Sequence, residues 1–204
     1  MSVEAAGNGL SVDIDGRARC RWGASAAEYI DYHDTEWGVP LHGDDALFER
    51  LCLEAFQSGL SWLTILRKRP AFRRAFDDFR IERVADFDDS DVARLLADAS
   101  IVRNRAKIEA CIHNARAAAD LDHGLDALLW SFAPTKGRSR PATIQDIVAI
   151  TPESTAMAKA LKDRGFRFVG PTTAHALMQA SGMVDDHLVG CWRAAGPDRM
   201  AGGA

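Results

Sequence analysis

The sequence of 204 residues contains no run approaching the length of about 18 consecutive apolar residues that a membrane-spanning helix needs. Its first residues lack the positive charges followed by an apolar stretch that mark a secretion signal. Cysteine is also scarce, with four in the chain. These absences predict a cytoplasmic protein without a membrane segment, whose cysteines are free or metal-bound rather than paired as disulfides.

Alternation of apolar and polar residues does not persist anywhere, and the sequence has no internal repeat and no long low-complexity tract. Apolar residues instead recur at intervals of three to four through most of the chain, which is the period of a helix. The composition, 47% hydrophobic and 26% charged, suits one globular domain or two small lobes that share a core. The sequence therefore predicts an all-α fold.

Individual helices can be placed from apolar faces and from capping residues. Residues 44–59 predict an amphipathic helix that Gly59 ends. Ser61 caps a second helix over residues 62–69, which Pro70 interrupts. Further helices are predicted over residues 89–100, 103–120 and 125–132, with Asp91 and Asn104 near the starts of the first two.

Composition also predicts the boundaries of the folded part. Residues 1–18 are rich in Gly, Ala and Asp without an apolar period, so we expect a flexible extension. The folded domain then covers residues 19–193, and residues 194–204 form a C-terminal tail. Residues 133–143, which combine Pro, Gly, Ser and basic side chains, are predicted to be a loop or a boundary between lobes.

Charge is unevenly distributed. The formal net charge of −4 argues mildly against a nucleic-acid partner, but residues 67–74 carry five positive charges and no negative one. Residues 159–167 carry four positive charges against one negative, whereas residues 82–98 hold six acids and two bases. A bipolar surface is predicted, although each run by itself is typical of a solvated helix face.

Residues 151–182 predict two helices joined by a tight turn. Thr151 and Pro152 begin the first, Gly165 ends it, Pro171 begins the second and Gly182 ends it. Backbone amides at the start of the second helix would form an anion site, suited to a DNA phosphate. An ordinary packed helical hairpin fits the spacing equally well. The candidate DNA contacts are Gly165, Arg167, Gly170, Thr172 and Thr173.

Four possible metal ligands stand near the two ends of the chain. Cys20 and His33 lie near one end, and His187 and Cys191, four residues apart, near the other. Two thiolates and two imidazoles make a complete tetrahedral set for Zn²⁺, and a closed set of this kind holds structure. A His four residues from a Cys is also common in simple packing, and the spacing is not that of a Cys-x2-Cys knuckle. The two other cysteines, Cys52 and Cys111, fall on apolar helix faces and are predicted to be inert core residues.

Large aromatic residues are dense in the first third of the chain, and aromatic faces can sandwich a nucleobase, a cationic one most strongly. For any single tryptophan, simple core packing is the favoured interpretation. Glu54 falls on the polar side of its helix, where it can pair with Arg50 four residues earlier. The aromatic candidates are Trp22, Tyr29, Tyr32, Trp37 and Trp62.

Eight segments resemble, in order, the bacterial DNA-3-methyladenine glycosylase I family of helix-hairpin-helix DNA repair enzymes. They are RCRW, YIDYHDTEWGVP, LFERLCLEAFQSGLSWLTIL, RNRAKI, LWSF, ALKDRGFRFVGPTT, MQASG and DHLVGC, and the resemblance covers about residues 19–193. The resemblance implies an all-α, two-lobed fold with the base pocket between the lobes. It also implies a structural zinc that joins the N- and C-terminal segments through Cys20, His33, His187 and Cys191.

The same resemblance implies the roles of the pocket residues. Glu54 would face the base and accept hydrogen bonds from its amine edge, while Trp62 and Tyr32 stack on it and Trp22, Tyr29 and Trp37 line the rest. Glu54 is therefore the candidate catalytic residue. The family does without the aspartate that many related enzymes carry after the hairpin, so Asp185 and Asp186 are expected to orient metal ligands.

The activity that the resemblance implies is excision of 3-methyladenine from alkylated double-stranded DNA by a monomeric enzyme. The target nucleotide must be flipped out of the duplex before its N-glycosidic bond is hydrolysed. No lysine stands at the hairpin position where strand-cleaving relatives keep their amine nucleophile, so strand cleavage is not expected. Two alternatives stay open: a non-catalytic module that binds damaged DNA, and a zinc hydrolase, which a closed four-ligand site disfavours.

Overall fold

A computed structural model of the protein describes residues 8–135 and 138–194. Helices dominate the described part, which confirms the prediction of a mostly helical protein. The α-helices are α1 (Ala27–Thr35), α2 (Asp44–Gln57), α3 (Trp62–Ala75), α4 (Ile81–Ala85), α5 (Asp89–Ala97), α6 (Arg105–Ala119), α7 (Gly124–Trp130), α8 (Pro152–Asp163) and α9 (Pro171–Ala180). Short 3-10 turns cover Arg21–Ala24, Asp77–Phe79 and Ile144–Asp146.

The predicted capping residues begin their helices as expected. Side-chain oxygens of Ser61, Asn104 and Thr151 accept hydrogen bonds from first-turn amides of α3, α6 and α8. Such a cap satisfies one of the amides that have no partner inside the helix. Helix α5 begins at Asp89, the first residue of the predicted range, with Asp88 as its cap, and the Asp91 side chain accepts a hydrogen bond from the Asp88 amide.

The prediction that Pro70 interrupts the second helix is wrong, because α3 continues across it to Ala75. Proline removes one hydrogen bond of a helix and strains the preceding turn. Packing outweighs that cost here, since Phe72 and Ala75 are buried in the second half of α3. The ring of Phe72 lies 4.6 Å from that of Phe56 on α2.

The prediction of a flexible extension over residues 1–18 is wrong for residues 10–18. Strand β1 (Leu10–Val12) pairs antiparallel with β2 (Ala18–Cys20), and Leu10 is buried. Three-residue strands are too short to leave a visible alternation, and β1 is held by contacts with the distant residues Leu188 and Cys191. The rest of the predicted extension and most of the predicted tail, residues 1–7 and 195–204, lie outside the described residues.

The main hydrophobic core draws on nearly all the α-helices and places α9 against both α8 and α2. Phe166 and Val169, from the connection between α8 and α9, are buried in it. The described helices thus share one core, and the division into two lobes stays a prediction. Within residues 8–135 and 138–194, no helix combines the length and the apolar character that crossing a bilayer demands.

The connection between α1 and α2 lies against the end of α9. Gly38 donates its amide proton to the Gln179 carbonyl at 3.0 Å, and Leu41 donates to the Ser181 carbonyl at 3.1 Å. Gly182 follows with a φ of +70°, and a Cβ at this position would lie 2.4 Å from the carbonyl carbon of Val39. A glycine is required here because the two backbones touch.

We expect Gly182→Ala to destabilise the protein far more than Gly59→Ala. Both glycines have positive φ, which costs an L-residue about 1–2 kcal/mol. Only position 182 adds a backbone collision, and overpacking of this kind costs about 1–3 kcal/mol more. Urea unfolding of the two variants measures the difference, because a Cβ at Gly59 would meet open space. Equal losses would show that the close approach does not constrain the fold.

Candidate functional site

One face of α1 is fastened to α2 and α3 by three side chains. Tyr29, Tyr32 and Glu36 lie three and four residues apart, so they share this face. The Tyr29 hydroxyl accepts a hydrogen bond from the Leu63 amide at 3.0 Å, and the Tyr32 hydroxyl accepts one from Arg50 at 3.2 Å. These contacts fix α1 beside the first turn of α3 and the middle of α2.

The five predicted aromatic residues lie together around this junction. The Trp22 ring centroid is 5.7 Å from that of Tyr29 and 4.9 Å from that of Trp37, both edge to face. Tyr32 lies 6.3 Å from Trp22 and 5.4 Å from Trp62. Residues from a 3-10 turn, α1 and α3 thus form one aromatic cluster, as the sequence predicts.

Glu54 lies on α2 and is buried, with 6% of its surface exposed. It is close enough to the cluster for its charge to act on the pKa of Tyr32. No hydrogen bond from the described residues reaches its carboxylate. Burial, only partly offset by the charge of Arg50, raises the pKa of Glu54 to about 7. A carboxyl group that loses its hydration without gaining a partner is a signature of a functional site.

The expected pairing of Arg50 with Glu54 is wrong, since Arg50 is engaged by Glu36 at 3.1 Å and by Tyr32. Arg69 adds two bonds of 2.6 Å to Glu36. Although burial acts to raise it, these arginines hold the pKa of Glu36 below its ordinary value. The two glutamates thus differ sharply: Glu36 is a paired structural anion, and Glu54 is left without a counterion.

Trp62 carries a buried polar atom without a partner. Its indole Nε1 is shielded from solvent, and no described residue accepts a hydrogen bond from it. Buried donors are nearly always satisfied, so an orphaned one calls for an explanation. Glu54 and Trp62 together supply an acceptor and a donor at one aromatic surface, which is the chemistry that a heteroaromatic ligand would satisfy.

The rings of Tyr32 and Trp62 do not form an open flat slot. Their planes are tilted by 50° and their centroids are 5.4 Å apart. A base held between two parallel rings needs about 7 Å, twice the usual carbon contact distance of about 3.5 Å. Stacking on both rings at once therefore requires one of them to move.

The four predicted metal ligands converge in space although 167 residues separate Cys20 from His187. All four are buried, and their ligand atoms lie within 4.8 Å of one another. Cys191 Sγ is 3.4 Å from His33 Nε2 and 3.7 Å from His187 Nδ1. Two thiols and two imidazoles at these distances could hold a metal ion in a tetrahedral arrangement.

The thiols and imidazoles are also prepared electrostatically for a cation. A shared hydrogen bond raises the pKa of Cys20 and lowers that of Cys191, because the two sulfurs compete for one negative charge. A dication would stabilise both as thiolates. His187 Nε2 lies 3.1 Å from the Trp37 carbonyl, which accepts a hydrogen bond from the protonated Nε2 and leaves Nδ1 free as a ligand.

Asp34 orients the other imidazole, a role that the sequence reasoning missed. Its Oδ1 lies 2.8 Å from His33 Nδ1, and this contact leaves Nε2 facing the sulfurs. The adjacency of Asp34 to His33 was visible in the sequence, but neighbouring residues on a helix do not ordinarily face each other.

Asp185 and Asp186 were expected to orient the ligands, and the structure gives them mostly other partners. Asp185 forms an ion pair with Arg140 at 2.9 Å, and it touches the ligand set only through the backbone amide of His187. Asp186 accepts a hydrogen bond from Gln179 at 2.8 Å and lies 3.3 Å from His175. Neither carboxylate reaches an imidazole of the metal site.

The predicted DNA contacts lie together at the connection between α8 and α9. Gly165 has the predicted positive φ of +87°, and Gly170 caps α9 without a side chain. Asn114 of α6 clamps the turn by bonding both the amide and the carbonyl of Arg167. Phe168 was not predicted to be unusual, yet it has a φ of +57° and is exposed.

A cavity of about 800 Å³ lies on the other side of the metal ligands. Arg138, Arg140 and Asp186 line it together with His187 and Cys191, whereas Glu54 and the aromatic cluster do not. It is therefore separate from the candidate base site.

Comparison with known proteins identifies the family that this sequence matches. The sequence model of the family described as methyladenine glycosylase matches residues 22–194. The chain belongs to the methyladenine glycosylase family. It is 45% identical over 177 residues to DNA-3-methyladenine glycosylase 1 of Escherichia coli, an alignment that covers 85% of this chain and 95% of that relative.

Solved structures of the family have the same fold. A crystal structure of 3-methyladenine DNA glycosylase I is similar with a TM-score of 0.82 and 44% identity, over 86% of this chain and 98% of the other. A second, of a tyrosine-to-phenylalanine variant in complex with 3-methyladenine, has a TM-score of 0.80 and 36% identity, over 85% of this chain and 95% of the other.

We expect Glu54→Gln to stabilise the protein at alkaline pH and to leave it unchanged near pH 4. The folded carboxyl has a pKa of about 7 against 4.5 for the exposed group, so ionisation favours the unfolded chain as pH rises through this window. The shift corresponds to at most about 3 kcal/mol above pH 7. Urea unfolding of both proteins from pH 4 to pH 8.5 tests this. A difference that does not change with pH would mean that Glu54 is not buried as a titrating group.

Proposed function

We propose that the protein is a monofunctional DNA glycosylase that excises 3-methyladenine from alkylated double-stranded DNA by hydrolysing the N-glycosidic bond. The observation that carries this proposal is the buried, unpaired carboxylate of Glu54 beside the aromatic cluster. It occurs in a chain whose relatives are named for this activity. We further propose two lobes with the base pocket between them, a monomer, and a cytoplasmic location.

Recognition begins with a nucleotide flipped out of the duplex. Unstacking costs a few kcal/mol and is cheapest at damaged pairs, so damage itself contributes to selection. Methylation at N3 gives adenine a positive charge. A cationic base would pair with Glu54 at the aromatic cluster, and its presence would favour the ionised carboxylate because opposite charges stabilise each other.

Charge complementarity separates the damaged base from the normal one. The carboxylate of Glu54 loses its hydration when the protein folds, as its raised pKa indicates, so binding of a base adds no further desolvation of this group. A neutral adenine would leave the carboxylate without a counterion, whereas a cationic base compensates it. The rings of Trp62 and Tyr32 would add cation–π attraction, with one ring moving to admit the base. Trp22, Tyr29 and Trp37 would complete the wall.

Departure of the base needs little acid catalysis, because the methylated base leaves as a neutral molecule. Glu54 therefore acts by holding the base in place while the sugar cation develops and water attacks it. The connection between α8 and α9, residues 164–170, contains no lysine that could act as an amine nucleophile, so we propose base removal without strand scission. Asp185 and Asp186, which are held by Arg140 and Gln179, take no part.

The turn between α8 and α9 would hold a DNA phosphate. Gly170 offers no side chain to the amides of the first turn of α9, so those of Thr172 and Thr173 are available to an outside acceptor. Arg167 is exposed at the same turn, and Gly165 lets the chain reverse direction there. Contacts of this kind position a protein on DNA without reading its sequence.

We propose that Cys20, His33, His187 and Cys191 bind a structural zinc ion. With four protein ligands the ion has no open position for water, so it would supply cross-linking of the chain rather than chemistry. The ligands come from β2, α1 and the segment after α9, and the ion would thus tie the two ends of the fold together. This arrangement disfavours the zinc hydrolase alternative.

Glu54→Gln should lower kcat/KM for release of 3-methyladenine from methylated duplex DNA by about 10- to 100-fold. This is the value of a hydrogen bond to a charged group, about 1.5–3 kcal/mol. Chromatography of the released bases measures it. Glu49→Gln is the matched control. Glu49 lies on the same helix as Glu54, but its carboxylate forms an ion pair with Arg73.

The same assay distinguishes the remaining alternative. Absence of base release from the unmutated protein, with retained binding to methylated duplex, would support a non-catalytic binding module. Full activity of Glu54→Gln would remove the charge-complementarity mechanism while leaving the glycosylase activity itself in place.

The purified protein should contain about one equivalent of zinc, and its free energy of unfolding should fall by about 1.4 kcal/mol for each tenfold decrease in free zinc above the dissociation constant. Cys191→Ser should abolish this dependence. Cys52→Ser is the control, because Cys52 is buried 3.1 Å from Cys111 and away from the site. Retained zinc dependence in Cys191→Ser would exclude the proposed ligand set.

A further inference from the structure

Arg19 is a charged residue buried beside the proposed metal site, with a side chain 2% exposed. Its guanidinium donates to Asp15 at 2.9 and 2.6 Å and to Asp34 at 3.1 and 2.8 Å. A buried arginine destabilises a fold unless its charge and its donors are satisfied. Two carboxylates meet that requirement, and they connect the β1–β2 hairpin to α1.

Asp34 is the centre of this network. Its Oδ1 lies 2.8 Å from His33 Nδ1 and accepts a hydrogen bond from Trp192 Nε1 at 3.1 Å, while Arg19 binds both of its oxygens. One carboxylate therefore joins β2, α1 and the C-terminal segment. These are the three segments that supply the four proposed ligands.

The β1–β2 hairpin also covers the sulfur atoms. Leu10 packs with Cys20, Leu188 and Cys191 in a small apolar cluster distinct from the main core. The Trp192 amide donates to the Ala18 carbonyl at 2.8 Å, and the Arg17 guanidinium lies 4.3 Å from the Trp192 ring centroid. As a result, Cys20 and Cys191 are only 1% and 4% exposed.

Strand β1 and the turn after it precede the segments that resemble the family, which begin with the motif RCRW at residue 19, while the sequence model begins at residue 22. Arg19 and all four ligands, Cys20 included, lie within those segments, whereas Leu10, Asp15 and Arg17 precede them. What β1 and the turn contribute is therefore not part of those segments.

We propose that the β1–β2 hairpin and the network of Arg19, Asp34 and Trp192 retain the metal ion kinetically. Asp34 is a positioning residue that keeps His33 Nε2 directed at the ion, and Arg19 holds Asp34 in place. The apolar cover over the sulfurs blocks the route by which water or a competing chelator would reach them. This inference rests on the proposed zinc site.

The test measures the rate at which zinc leaves the folded, zinc-loaded protein in the presence of excess chromogenic chelator. Arg19→Gln and Asp34→Asn should release zinc at least about 10-fold faster than the unmutated protein, the usual effect of losing an outer-shell partner. Arg19→Lys should restore part of the retention. Arg105→Gln, which removes an exposed ion pair with Glu109, should release zinc at the unmutated rate.

Cobalt-substituted protein gives a readout that general destabilisation would not produce. Asp34→Asn should shift the visible absorption bands of bound cobalt, because the orientation of the His33 ligand changes, while Arg105→Gln should not. If Arg19→Gln does not fold, Asp15→Asn removes one of the two carboxylates that are hydrogen-bonded to Arg19, at a half-exposed position, and should raise the release rate less.

Two results would overturn the inference in distinguishable ways. An unmutated protein that binds no zinc would refute the proposed metal site and this role with it. Zinc bound with full stoichiometry, but released at equal rates from the unmutated protein, Asp34→Asn and Asp15→Asn, would refute the retention role alone.

Discussion

The attachment of α1 on two sides is the constraint on which the rest of the site depends. On one side, His33 enters the cluster of cysteines and histidines contributed by both ends of the fold. On the other, Tyr29, Tyr32 and Glu36 are bonded to α2 and α3. Successive residues of a helix point about 100° apart, so a nine-residue helix can serve both surfaces at once. A shift of α1 would disturb the metal ligands and the aromatic cluster together.

The electrostatics of the aromatic cluster follow from that arrangement. Glu36, which directly follows α1, forms ion pairs with Arg50 and Arg69, and Glu54 is thereby left with no counterion of its own. Burial raises the pKa of Glu54, and the pKa stays high because Arg50 and Arg69 form their ion pairs with Glu36. A site with one unpaired acceptor, one unpaired indole donor and several π faces is incomplete without a ligand. This incompleteness connects the geometry to a cationic purine.

The sequence predicted local structure well wherever the signal itself was local. Ser61, Asn104, Thr151 and Gly165 act as predicted because a cap or a left-handed stop depends on a few adjacent residues. Pro70 was misjudged because the packing of Phe72 against Phe56 offsets the lost hydrogen bond. Strand β1 was missed because three residues leave no visible alternation, and because Leu188 and Cys191, which pack on Leu10, are at the opposite end of the chain.

Sequence alone determined the helical character of the chain, the positions of most helices, and, through the resemblance of its motifs, the identity of the candidate residues. Tertiary structure decided which of those residues lack a partner. Periodicity placed Glu54 on a polar helix face beside Arg50, and only the approach of Glu36 from α1 showed that Arg50 is already engaged. The tertiary structure likewise showed that Asp34, and not the aspartates near His187, orients the His33 imidazole. The physical reason is the same in both cases: hydrogen bonds and charge pairs are shared among side chains distant in sequence, and their allotment is settled only when the chain has folded.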